Sequence, residues 1–347
     1  MRARCGALKN HWYVAAQSGQ VRGNRPVSRT VLETRLALYR RRDGVAVALH
    51  DRCPHRNQFL SEGWVRGDDL QCAYHGWTFD GAGRCVNVPS EGPCGRAFDG
   101  REVESFPVCE QDGLVWVWMG GEVLPPTGER PPSVPAVGAG WGGFILENDF
   151  ENSVGSCVEN FIDVPHTVWA HAGWFRTRQG LKVRATVERD AQGVLVTYHA
   201  QGDALGWGDR LFNPRGLPLA HTDRFIMPST TRVDYDWGQG ASGMVIMSAN
   251  VPVQPFLTRT YTAVRFKRGV FNPLFRMLLP WYAQAIINQD KGQLALQGRS
   301  VQEAPANYKH TPADAQHLLV DAMRAWAEEG GQGEPPRPVK REVEFWI

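Results

Sequence analysis

The sequence predicts an α+β protein in two parts: a small antiparallel β unit, then a larger antiparallel sheet with helices packed on it. Three observations carry this. Short β-rich runs punctuated by Asp-Gly turns occupy roughly the first third of the chain. A proline- and glycine-rich stretch interrupts the pattern next. Beyond it, strand-like runs succeed one another mostly without helices between them, and two helical segments follow, which argues an antiparallel sheet covered by helices. On this reading residues 1–122 form the first domain, 123–143 a linker and 144–347 the second domain.

Taken in order, Thr30–Tyr39 and Val45–His50 are β-rich runs around an Asp43-Gly44 turn, and Asp80-Gly81 marks another turn. Asp112-Gly113 precedes the run Leu114-Val115-Trp116-Val117-Trp118. Gly121 to Gly143 holds five prolines and six glycines in 23 residues, the composition of a surface-crossing linker. It contains a formal GxGxxG, Gly138 to Gly143, but a dinucleotide fingerprint needs a strand before it and a helix after it. Here a proline-rich loop precedes and the strand-like Phe144-Ile145-Leu146 follows, so no nucleotide site is expected. A helical segment is expected near Ser153–His171. Strands are expected at Leu181–Glu188, Val194–His199, Thr222–Val233, Met244–Val253 and Arg259–Lys267. Helices are expected over about Asn272–Gln297 and Pro312–Glu329. There is no internal repeat.

The 347 residues suit two domains, and 42% apolar residues suffice for a core in each. A net charge of +2 gives no polyanion signal, and Arg40-Arg41-Arg42 reads as the solvated end of a hairpin, so no nucleic-acid partner is expected. The apolar stretch Leu278–Ile287 is short and broken by Pro280, and no apolar h-region follows Met1; neither a membrane span nor a signal peptide is expected. Cys5, Cys85, Cys94, Cys109 and Cys157 follow no framework spacing and have no readable role. Reduced thiols in a cytoplasm fit them best.

Two short cysteine-histidine pairs stand out: Cys53-Pro54-His55-Arg56 and Cys72-Ala73-Tyr74-His75-Gly76-Trp77, with sixteen residues between His55 and Cys72. Two thiolates and two imidazoles suit an unsymmetrical [2Fe–2S] cluster, cysteines on one iron and histidines on the other. Structural zinc is the competing reading. Zinc sites, however, usually pair cysteine with cysteine and histidine with histidine, whereas each pair here is mixed.

A second candidate lies in the first helical segment. Asn160, Asp163, His166 and His171 form the string N-x₂-D-x₂-H-x₄-H. On a regular helix, residues five apart point about 140° away from each other. His166 and His171 can therefore meet one ion only if the helix is distorted, and Pro165 supplies a cause. Redox-active iron with open positions takes two histidines and a carboxylate.

The CPHR and CAYHGW segments, followed by this second string, resemble the Rieske non-haem iron oxygenases (aromatic-ring-hydroxylating terminal oxygenases) over nearly the whole chain. The length and spacing look most like the homotrimeric O-demethylase branch, which includes the vanillate and dicamba enzymes. The resemblance implies a Rieske cluster on Cys53, His55, Cys72 and His75, a helix-grip-like catalytic domain, and mononuclear Fe(II) on His166 and His171. Asn288 to Gln297 resembles the segment that supplies the third ligand, which would be Asp290. It further places Asn160 near the iron and makes Asp163 the link between the two metal centres. The activity implied is that of a terminal oxygenase that hydroxylates or O-/N-demethylates a small aromatic or cyclic substrate with O₂. Electrons would come from NAD(P)H through a separate reductase, with or without a ferredoxin.

A cis-dihydroxylating dioxygenase on the same scaffold is the alternative. A pure Rieske electron-transfer protein would leave some 200 residues without a task. Residues between about Phe144 and Asp290 should line the pocket, with Trp281 a candidate for ring stacking. The loop Gln201–His221 should help shape it, and the other histidines, His221 and His317 included, read as structural.

Overall fold

The computed structural model describes residues 8–92, 99–120, 123–134, 140–174, 180–199, 213, 215–239, 242–331 and 334–347. Cys5 and Cys94, the start of the GxGxxG string and most of the Gln201–His221 loop lie outside them. The chain divides into two compact units, Lys9–Ser133 and Val134–Ile347, the latter together with Leu8.

The first unit consists of small antiparallel sheets. β1 (Trp12–Gln17) pairs with β11 (Leu114–Trp118), and β11 with β10 (Val108–Gln111). A second sheet runs in the order β2 (Val27–Val31), β3 (Thr34–Arg40), β4 (Ala46–His50), β9 (Ser105–Phe106). A third joins β5 (Trp64–Arg66), β6 (Asp69–Gln71), β7 (Thr78–Phe79) and β8 (Cys85–Asn87). Asp112 and Gly113 both take positive φ, the requirement of a type I′ hairpin turn, which matches the twist of β10 and β11. The expected run Thr30–Tyr39 is instead two strands, broken by Leu32-Glu33, both at positive φ. Neither residue is a usual turn former, so no local signal marked the break. Arg40 is not a solvated hairpin end: it forms a two-pronged pair with Glu110 at 2.8 and 2.9 Å. Tyr39, Leu49, Leu60, Leu70 and Phe79 pack a core that also holds Cys53 and Cys72.

In the second unit one antiparallel sheet spans eight strands among the described residues. Its order is β12 (Trp141–Phe150), β18 (Leu257–Lys267), β17 (Ser242–Gln254), β16 (Thr230–Trp237), β15 (Leu219–Ile226), β14 (Gly193–Tyr198), β13 (Lys182–Arg189) and β19 (Val339–Trp346). Trp141–Gly143, expected in the linker, already run in β12. Any side chain at Gly143 would meet the backbone oxygen of Val264, so the close pairing with β18 needs a glycine. The single strand expected at Thr222–Val233 is two, β15 and β16, because the chain turns at Met227-Pro228-Ser229. Pro228 has no N–H for a central ladder. β19 carries alternating charge outside Phe345 and gave no strand signal; it adds to the edge at β13.

Helices α1 (Val154–Ile162), α2 (Thr167–Ala170), α3 (Asn272–Glu303) and α4 (Ala315–Glu328) accompany this sheet. The Ser153 hydroxyl caps α1 by accepting from Ser156 N–H at 3.2 Å. Along α3, Leu279, Ala283, Ile286, Ile287 and Asp290 recur at helical spacing and so share one face. Further on, Gly298 lets the helix approach the backbone oxygen of Glu151, where any side chain would collide. Val158, Val187, Phe225, Leu319 and Met323 form the apolar layer between α1, α4 and the sheet. No described helix is long and apolar enough to cross a membrane.

Candidate functional site

The two cysteine-histidine pairs sit on loops with the same backbone hydrogen bonds. In the first, Cys53 N–H reaches the Gln58 carbonyl (2.9 Å) and Asn57 N–H the Cys53 carbonyl (2.9 Å). In the second, Cys72 N–H reaches the Trp77 carbonyl (2.8 Å) and Gly76 N–H the Cys72 carbonyl (3.1 Å). Both loops take positive φ at the fourth residue after the cysteine, Asn57 and Gly76, residues that tolerate this conformation. Each loop closes within six residues and presents its side chains by local geometry.

The loops bring all four side chains together. Cys53 and Cys72 are buried free thiols within hydrogen-bond reach of each other; the Cys53 thiol draws Cys72 down to about 6, and Cys53 is raised in turn. The His55 and His75 rings lie 4.5 Å apart, and His55 stacks on Trp77 at 4.7 Å. His55 Nδ1 is buried and has no hydrogen-bond partner among the described residues. A buried ring nitrogen without a partner is costly unless something binds it. Two sulfurs and this nitrogen suit a group that takes thiolate and imidazole ligands. His75, by contrast, is exposed. Cys85 packs in the same core, Cys109 is half-buried on β10, and burial raises the Cys157 thiol on α1 to about 12; none shares these loops.

In the second unit the expected single helix breaks where the string required it to. α1 ends at Ile162, Asp163 is extended, and α2 starts only at Thr167. The Asp163 carboxylate accepts from the His166 backbone N–H at 2.9 Å, holding the chain in its new direction. With Pro165 in this bend, His166 and His171 face each other, ring centroids 5.2 Å apart. Asp290 comes from the middle of α3: its Oδ1 lies 3.1 Å from His171 Nε2 and 3.5 Å from His166 Nε2. One ligand atom from each of the three residues falls within 4.8 Å of the others, a two-histidine, one-carboxylate donor set suited to iron.

The far side of each imidazole is tied. His166 Nδ1 meets Asp163 Oδ2 at 3.1 Å and His171 Nδ1 meets Gln289 Oε1 at 2.7 Å, which leaves both Nε2 atoms for a metal. Burial opposes ionisation of Asp163, yet the His166 imidazole in contact and His317, at 3.6 Å from Oδ1, outweigh it and hold the carboxyl well below its usual range. Burial likewise raises Asp290, and the two imidazoles more than reverse this. Asn160 Nδ2 lies 3.4 Å from Asp290 Oδ1, while its Oδ1 is buried without a partner among the described residues.

Gln289 and His317 had no sequence signal as site residues. Gln289 is one of many polar helix residues, and His317, read as structural, stands on α4 far along the chain. Gln289→Leu keeps the side-chain volume but removes the acceptor on His171. It should weaken Fe(II) binding about 10–100-fold, measured by chelator competition. Unchanged affinity would show that packing alone orients His171.

The three ligands open on a cavity of about 180 Å³. Its lining runs in sequence from Phe144 to Asp290 and follows the sheet register. One row crosses the strands as Asp223, Val233, Ile246, Val264 and Phe144, and a row of hydroxyls as Thr231, Ser248 and Thr262. Helices α1 and α3 supply the opposite wall through Phe161, Ile162, Leu279 and Ile286. Trp281 is not part of it: the residue is 81% exposed, because the helical turn carries it off the stripe to which Tyr282 contributes. Tyr282 donates its hydroxyl to the Trp174 carbonyl.

Residues 11–107 match the Rieske [2Fe-2S] domain, and residues 152–328 match the vanillate O-demethylase oxygenase C-terminal domain. The chain is 35% identical over 235 residues to the oxygenase component of dicamba O-demethylase from Stenotrophomonas maltophilia, an alignment covering 65% of this chain and 62% of that protein. It is 35% identical over 164 residues to 4beta-methylsterol monooxygenase from Methylococcus capsulatus, covering 46% and 44%. The chain thus spans about three fifths or less of the length of these curated relatives. A crystal structure of dicamba monooxygenase bound to 3,6-dichlorosalicylic acid superposes with a TM-score of 0.81 at 25% identity, covering 94% of this chain and 99% of that one.

Proposed function

Since the chain belongs to the vanillate O-demethylase family of oxygenases, with a Rieske [2Fe-2S] domain ahead of its oxygenase domain, we propose that it is the terminal oxygenase component of a Rieske-type monooxygenase. It hydroxylates, or O- or N-demethylates, a small cyclic substrate. The observation that carries this reading is the convergence of His166, His171 and Asp290 on one point at the wall of an apolar cavity. Iron held there by His166, His171 and Asp290 would supply O₂ activation, while the protein supplies position and exclusion of water.

The residues divide the work as follows. Cys53, His55, Cys72 and His75 would hold the cluster, which would serve as a one-electron relay, and of the four His75 is the exposed one. Asp163 and Gln289 hold the two imidazoles in the tautomer that leaves Nε2 for the metal. Asn160 braces the Asp290 carboxylate. The cavity is close in size to one of roughly 150 Å³ that accepts benzene, so a substrate with a single ring suits it.

Electrons come from a separate NAD(P)H-dependent reductase, with or without a ferredoxin. The chain works as a homotrimer, a closed C₃ ring in which the Asp163 carboxylate would bridge His166 to His75 of the partner subunit by hydrogen bonds. The described cysteines are all free thiols, which suits a reducing cytoplasm.

The test is turnover with a surrogate reductase, NADH and ¹⁸O₂ across methoxy- and methylamino-substituted rings. Formaldehyde, or a product carrying one labelled oxygen, is expected. A cis-diol with two labelled atoms would replace this reading with the dioxygenase one.

A further inference from the structure

A second polar cluster lines the cavity, apart from the three metal-facing residues. His221 and Asp223 stand two apart on β15 and so face the same side of the sheet. They are 1% and 2% exposed, yet both belong to the cavity wall. His221 Nε2 meets Asp223 Oδ1 at 2.9 Å, and the Tyr198 hydroxyl donates to Asp223 Oδ2 at 2.8 Å. Register places Tyr198, His221 and Tyr235 side by side on β14, β15 and β16. The imidazole is therefore stacked between two phenol rings, at 4.3 and 4.5 Å. Burying an acid and an imidazole costs free energy that packing alone does not repay, so a wholly structural wall would favour apolar residues here.

We infer that the His221–Asp223 pair is the substrate-anchoring group of this cavity, and that it selects a neutral, single-ring substrate bearing a hydroxyl group. This deepens the proposed monooxygenase reading and rests on it. His221 Nε2 is already engaged by the Asp223 carboxylate, so the pair offers no separate positive charge to a substrate carboxylate. Among the described residues lining the cavity none is lysine or arginine. Besides Tyr235, the remaining polar lining along the sheet is the hydroxyl row Thr231, Ser248 and Thr262, which carries no charge. A substrate hydroxyl both donates and accepts, so it can pair with the ring nitrogen or with the carboxylate oxygen of this pair. A carboxylate would be desolvated beside Asp223, and like charges in an apolar wall repel strongly.

The experiment measures binding to the iron-loaded enzyme by anaerobic titration calorimetry, without electron donor. Failure of the oxygenase reading, seen in turnover, is thus separable from failure of this one. Matched probes are 2-methoxyphenol against 2-methoxybenzoate and 4-methoxyphenol against 4-methoxybenzoate, with methoxybenzene as the probe lacking either group. The phenols should bind at least about tenfold more tightly than their carboxylate partners. His221→Phe keeps a ring between Tyr198 and Tyr235 and should cost the phenols about tenfold while leaving methoxybenzene unchanged. His221→Gln, which restores a hydrogen-bonding group, should recover part of the loss. Carboxylates that bind as well as the phenols, a panel in which no phenol binds, or a phenol preference that survives in His221→Phe would each overturn the assignment. So would a loss of methoxybenzene equal to that of the phenols, since it would mark His221 as packing only.

Discussion

Asp290→Ala is expected to leave the cluster spectrum intact while mononuclear iron falls from one per chain to near zero and turnover disappears. Asp290 supplies the only carboxylate oxygen near both Nε2 atoms among the described residues, at 3.1 and 3.5 Å. Two neutral imidazoles without an anionic partner bind Fe(II) weakly, and the loss should exceed the roughly 100-fold that altering an outer hydrogen bond to a ligand can cost. Asp290 is buried on the inner face of α3, so Asp290→Asn serves as the companion that preserves volume and separates folding from ligation. Iron analysis alongside the visible spectrum decides the matter. A variant with full iron and full activity would move the carboxylate role to another acid.

Asp163→Asn should retain both metal centres and a reducible cluster yet turn over at least about 100-fold more slowly. Its carboxylate accepts from the His166 backbone and ring and stands beside His317, so an amide of equal size keeps the bend after α1 but removes the charge. The charge is what the trimer reading needs between His166 and the cluster of the next subunit. Single-turnover measurement with a pre-reduced cluster, substrate and O₂ isolates the transfer step. Cluster reoxidation at the wild-type rate, or full activity in a strictly monomeric enzyme, would remove the bridge.

Legibility in the sequence followed the range of the interactions involved. Each cluster loop was readable because its own backbone closes it: the bonds from Cys53 to Gln58 and from Cys72 to Trp77 span five residues. The histidine string was readable for the same reason, and the need for a broken helix followed from the 100° step, with Pro165 and the Asp163 carboxylate now supplying the break. The Leu32-Glu33 turn has no local signal because neither residue favours positive φ, and the turn between β15 and β16 is hidden because Pro228 sits inside one continuous β-rich run.

The sequence by itself determined the two-part α+β architecture, the two cysteine-histidine loops and the spacing that forces His166 and His171 to meet only across a bend. Tertiary structure decided what gathers around them. Gln289 reaches His171 across 118 residues of chain, His317 comes to Asp163 from α4, and His221 finds Tyr198 and Tyr235 only through the register of three strands. Trp281 and Tyr282 are both aromatic in sequence, and only the rotation of α3 turns one to solvent and the other to the cavity. The physical reason is one of range. A loop closed by its own hydrogen bonds carries its geometry in a few adjacent residues, whereas convergence of side chains from separate helices and strands depends on packing and register that no local pattern encodes.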